Sequence, residues 1–91
     1  MNSYCSDTLI DAAAKIAIIG AREYLRVHNL QADETALVAC CKSWLKIKLP
    51  EALNDAKAAM DCGMHQAAEA TFKATMILAG IEAAKEASRA A

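Results

Sequence analysis

The sequence predicts an all-α protein, a small four-helix bundle with mostly antiparallel helices. Apolar residues recur at steps of three and four along the chain, and no segment alternates in the manner of a half-buried strand. Alanine, the best helix former, supplies much of a hydrophobic content of 56%, whereas aromatic residues make up only 4%. With 91 residues the chain is expected to form a single domain, residues 1–91.

The first helix is predicted at about residues 7–28, with Ser6 as its N-cap and Asp7 in its first turn. It carries two apolar stripes. The first is predicted to face the core and consists of Leu9, Ala13, Ile16, Gly20, Tyr24 and Val27. The second interrupts the charged side of the helix between Lys15 and Arg22 and consists of Ala14, Ile18 and Leu25.

Three further helices are predicted, at about residues 34–48, 50–62 and 64–88. Asp33 is a favoured N-cap for the second helix. Its buried stripe is predicted to comprise Leu37, Val38, Cys41, Trp44, Leu45 and Leu49. Pro50 disfavours a helical conformation at the residue before it, so it is expected to separate the second helix from the third. Gly63 is expected to cap the third helix in the left-handed conformation.

Charge and hydropathy exclude several classes of protein. The net charge of −1, from 10 basic and 11 acidic residues, provides no general attraction for nucleic acid or an anionic membrane. No stretch approaches the roughly 18 apolar residues of a membrane span. The first residues lack a basic region followed by an apolar one, so we expect no signal peptide and a cytoplasmic location. The cysteines are then expected to be reduced.

The spacing of candidate ligands and catalytic residues shows how well the sequence supports a metal site or a catalytic site. Cys62 and His65 form one C-x-x-H arm, to which Cys5 and either Cys40 or Cys41 could add zinc ligands. No second arm is present, and the two adjacent cysteines point about 100° apart on a helix. No glycine-rich loop, activated nucleophile or paired-carboxylate motif is found. We therefore predict no metal, no cofactor and no enzymatic activity, with a metal-binding or thiol-redox role as the third hypothesis.

A DNA-associated regulator is the second hypothesis. Lys42, Lys46 and Lys48 surround Trp44 near the end of the second predicted helix, and the next helix would complete a helix-turn-helix. That next helix, however, is acidic, and the connection at Pro50 lacks the expected turn glycine. A recognition helix that repels phosphate binds DNA poorly, so nucleic acid is not the expected partner.

Excess apolar surface is the feature that indicates a function. The fourth predicted helix is apolar nearly all round, and three short helices can cover it only in part. Two stripes are candidates for an interface: Ala14, Ile18 and Leu25 on the first helix, and Ala68, Phe72, Met76 and Ala79 on the fourth. We predict that a second subunit or another protein covers at least one of them; the alternative is that the first helix alone covers the stripe on the fourth. The expected function is non-enzymatic protein–protein interaction, as a small homodimeric adaptor or as an inhibitor that occludes a larger partner. Small proteins of phages and other mobile elements belong to this class.

Overall fold

The computed structural model describes residues 7–90, and these residues form three helices. The helices are α1 (Asp7–Val27), α2 (Glu34–Asp61) and α3 (His65–Ala90). The all-α class is confirmed, and no strand occurs between residues 7 and 90. The prediction of four helices is wrong, because the segments 34–48 and 50–62 belong to one continuous helix. The predicted N-cap Ser6 lies outside the described residues.

Pro50 lies inside α2 and does not end it. Proline has no N–H to donate to the carbonyl of Lys46, and a helix-interior proline costs about 3 kcal/mol or more. The helix continues because its buried stripe stays in phase across the proline. The stripe advances by four, three and four residues through Leu45, Leu49, Ala52 and Ala56, all of them buried. Since α2 packs along α3 more extensively than along α1, this packing offsets the cost of the proline.

The two predicted caps of α2 are confirmed. The backbone N–H of Ala36 donates to the carboxylate of Asp33 at 3.0 Å, which makes Asp33 the N-cap. At the other end Gly63 has a positive φ of 77°. The N–H of Met64 then donates back to the carbonyl of Ala59 at 2.8 Å. This arrangement is a Schellman motif, and it reverses the chain directly into α3.

The core combines large side chains from α2 with small ones from α1 and α3. The largest fully buried side chains are those of Leu37, Cys41, Leu45 and Leu49. At the crossing of α1 and α3, a Cβ built on Gly80 would lie 2.4 Å from the carbonyl oxygen of Ala17 and 3.3 Å from the backbone nitrogen of Ala21. The two backbones are therefore in direct contact, at a distance that only glycine permits on α3.

The structure confirms the predicted core stripe of α1 only in part: Ala13 is buried and Leu9 and Tyr24 pack against the core. Ile16 and Val27, predicted to face the core, are 52% and 62% exposed. Ile18 and Leu25, predicted to face a partner, are each only 8% exposed. The reason is the close crossing at Gly80, which requires the alanine-rich side of α1 to face α3.

Candidate functional site

The seven residues predicted to form an interface lie within or against the chain's own core. Five of them are buried, namely Ala14, Ile18, Leu25, Ala68 and Ala79. The other two, Phe72 and Met76, are half-buried and pack against the core. Because these side chains fill the space between the helices, a surface for a partner has to be sought among other apolar residues.

Nine large apolar side chains in the described part of the chain are exposed. They are Ile16, Ile19, Val27, Leu30, Ile47, Met60, Met64, Ile77 and Leu78. Single exposed apolar residues are normal on a protein surface, whereas contiguous ones mark interaction sites. The arrangement of these side chains therefore matters more than their number.

We group four of the nine as the α1–α3 face: Val27 and Ile77, which line one groove, and Ile16 and Ile19, which are adjacent to it by their helical positions. A groove of about 350 Å³ runs between α1 and α3. Its lining consists of Gly20, Glu23, Tyr24, Val27, His28, Ile77 and Ile81. Ile16 and Ile19 lie one helical turn before Gly20 and Glu23, so they extend the groove along α1.

The charged groups beside the α1–α3 face are paired on their own helices. Glu23 accepts hydrogen bonds from Arg26, one of them from Nε at 3.2 Å. This contact lowers the pKa of Glu23 and raises the pKa of Arg26, through hydrogen bonding first and charge attraction second. On α3, Lys73 Nζ lies 3.3 Å from Glu69. Ion pairs therefore flank this face on both helices, and the exposed Lys15, one turn before Ile19, adds a cation at its edge.

A second depression, which we call the α1–α2 groove, also measures about 350 Å³. Its lining consists of Asp11, Ala14, Lys15, Ile18, Arg22, Val38 and Lys42. Ile18 lies at its floor, so the apolar residue that interrupts the charged stripe of α1 faces α2. Two ion pairs join α1 to α2 beside it, one between Lys42 and Asp11 at 3.2 Å and one between Arg22 and Glu34.

The described cysteines are free and are not brought together. Burial raises the pKa of Cys41 to about 11 and also raises the pKa of Cys40, so both thiols stay protonated at neutral pH. Cys62 is exposed near His65, about 33 Å along α2 from Cys40. Residues 7–90 contain no group of three or more His, Cys, Asp or Glu arranged to hold a metal ion. Cys5 lies outside the described residues.

The predicted basic cluster of α2 is divided between different neighbours. Lys42 pairs with Asp11 on α1, whereas Lys48 Nζ lies 5.5 Å from the ring centroid of Trp44. Lys46 is exposed. Because α2 is continuous through this region, the turn that a helix-turn-helix needs is not formed.

Comparison with known proteins provides no family for this chain: no family model, no curated protein and no solved structure matches it. Within residues 7–90, no helix has the combined length and apolarity that crossing a membrane requires.

Proposed function

We propose that this chain is a non-enzymatic protein-interaction protein that pairs with a second copy of itself through the α1–α3 face. The supporting observation is that α1 is apolar on two sides, only one of which packs in the core. On the other side Ile16, Ile19 and Val27 are 52%, 66% and 62% exposed. A helix that faces only its own core and water normally carries polar residues at such positions.

A second copy is the occupant that best fits the charges of this face. In a two-fold pairing the same patch is used by both copies, so an uncompensated charge close to the axis would meet its own copy. The nearby acids and bases, Glu23 with Arg26 and Glu69 with Lys73, are already paired within their own helices. The centre of the face therefore offers apolar contact without like-charge repulsion, while the exposed Lys15 lies at its edge, one turn before Ile19.

The expected affinity is modest. Complete burial of a large apolar side chain is worth about 1.5–3 kcal/mol, and roughly half of that remains to be gained at each side chain of the face. Association costs at least about 4 kcal/mol in lost translational and rotational freedom. The balance favours a reversible dimer that forms at micromolar to millimolar concentration. Such a pair displays two copies of every other surface, which suits an adaptor or an inhibitor of a larger protein.

The test compares two isoleucines of equal exposure on different surfaces. Ile19 is 66% exposed on the α1–α3 face, and Ile47 is 67% exposed on α2, beside a depression shared with Leu78. Sedimentation velocity over a wide concentration range should show the wild type shifting from monomer to dimer. Ile19→Asp should remain monomeric, Ile47→Asp should dimerise like the wild type, and both should keep their helical circular dichroism.

Two results would contradict the proposal. A wild type that stays monomeric at about 1 mM, well above a micromolar dissociation constant, excludes the homodimer. A dimer that Ile47→Asp disrupts and Ile19→Asp does not would place the interface on α2 instead of the α1–α3 face.

A further inference from the structure

We infer that the α1–α2 groove binds an acidic segment of another protein, which inserts an apolar side chain between the two helices. This inference does not depend on self-association, because the groove and the α1–α3 face use different residues of α1.

The groove combines an apolar floor with cationic walls. Ala14 and Ile18 of α1 and Val38 of α2 form the floor. Lys15, Arg22 and Lys42 stand around it, together with Asp11; Lys15 and Arg22 are exposed and Lys42 is half-buried. An apolar floor rewards burial of an apolar group, while cations at its border select a ligand that carries negative charge beside that group.

The ion pairs of the groove can be replaced by ion pairs with a ligand. Lys42 pairs with Asp11 and Arg22 pairs with Glu34, but the four side chains are 43–59% exposed. Exposed ion pairs contribute only about 0–1 kcal/mol, so carboxylates of a ligand can replace them at small cost. Lys15 makes no ion pair or side-chain hydrogen bond within residues 7–90, which leaves one cation in the groove without a partner.

The shape of the groove favours a protein segment over a small molecule. Small-molecule sites bury most of their ligand, whereas the walls here are half-exposed and leave the groove open along its length. From Asp11 to Arg22 the groove follows α1 for about 16 Å, the length of an 11-residue helix or of about five extended residues. No aromatic side chain lies in the floor to stack on bases, so a nucleic acid is disfavoured.

The experiment selects ligands without assuming a sequence. A phage library of random peptides of about 12 residues, long enough to span the groove as a helix, is selected on the full-length wild-type protein. A labelled copy of the most enriched peptide is then titrated by fluorescence anisotropy. The variants are Lys15→Glu in the groove and Lys57→Glu, which makes the same charge change at an exposed position near the end of α2. Circular dichroism confirms that both are folded.

The enriched peptides should carry a large apolar residue flanked by Asp or Glu. Lys15→Glu removes an attraction and adds a repulsion, so the affinity should fall about fivefold, whereas Lys57→Glu should leave it nearly unchanged. Ile19→Asp should bind the peptide like the wild type, because that residue lies outside the groove. Enrichment of non-acidic peptides, equal binding by Lys15→Glu, or displacement of the peptide by a short DNA duplex would overturn the inference.

Discussion

The crossing of α1 and α3 at Gly80 can be tested by substituting alanine at the two glycines that lie inside helices. In a helix, Gly→Ala normally stabilises by about 0.8–1 kcal/mol, because alanine loses less backbone entropy on folding. A Cβ at Gly20 meets no atom within 4 Å. Gly20→Ala should therefore show this gain alone, and it serves as the matched control for Gly80→Ala.

At Gly80 the added Cβ would lie 2.4 Å from the carbonyl oxygen of Ala17, about 1 Å closer than a carbon–oxygen contact allows. The atom in the way belongs to the backbone, so no side-chain rotation relieves the clash and α1 has to move away from α3. Overpacking of this kind costs typically about 1–3 kcal/mol, and the absence of a flexible neighbour places Gly80→Ala at the upper end. After the gain in helix propensity, the net loss of stability is about 2 kcal/mol.

Thermal denaturation followed by circular dichroism measures both variants at the same protein concentration. Gly20→Ala should raise the melting temperature by about 4–8 °C, and Gly80→Ala should lower it by about 10 °C, since 1 kcal/mol corresponds to about 4–8 °C in a domain of this size. If Gly80→Ala stabilises the protein as much as Gly20→Ala does, the helices do not cross in backbone contact. The orientation of α1 would then not depend on the contact between Gly80 and Ala17.

Two further predictions concern α2. Pro50→Ala restores the N–H that can donate to the carbonyl of Lys46, so it should stabilise the protein by about 1–3 kcal/mol in urea unfolding; a lower midpoint would show that the packing of α2 against α3 requires the proline. The second prediction concerns thiol alkylation at pH 8, measured by peptide mass spectrometry. The exposed Cys62 should react quickly. Cys41 should react only after urea unfolds the protein, because burial raises its pKa to about 11. Equal rates for these two thiols in the native protein would contradict the buried position of Cys41.

The all-α class and the ends of α2 were predictable because they depend on local interactions. Asp33 accepts a hydrogen bond from an N–H three residues ahead, and Gly63 adopts a positive φ that most other residues avoid. The buried stripe of α2 was also predictable, since Leu37, Leu45 and Leu49 share one side of the helix. The residues that determine these features lie within a few positions of them in the sequence.

The continuity of α2 and the orientation of α1 were decided by tertiary contacts. The local effect of Pro50 favours a break, and only the in-phase packing of α2 along α3 keeps the helix intact. On α1, periodicity reveals two apolar stripes but does not say which one is buried. Ile18 was predicted to face outward because Lys15 and Arg22 flank it, yet long basic side chains can cover an apolar neighbour while their charges reach water.

Periodicity therefore predicted that α1 has an apolar side outside the core, and the fold leaves Ile16, Ile19 and Val27 exposed. Which side of α1 is buried depends on a contact between residues far apart in sequence, the close approach of Gly80 to the backbone of Ala17. Small residues allow two backbones to approach closely, and the energy of that approach depends on the atoms of both helices together. A pattern read along one helix does not contain this information.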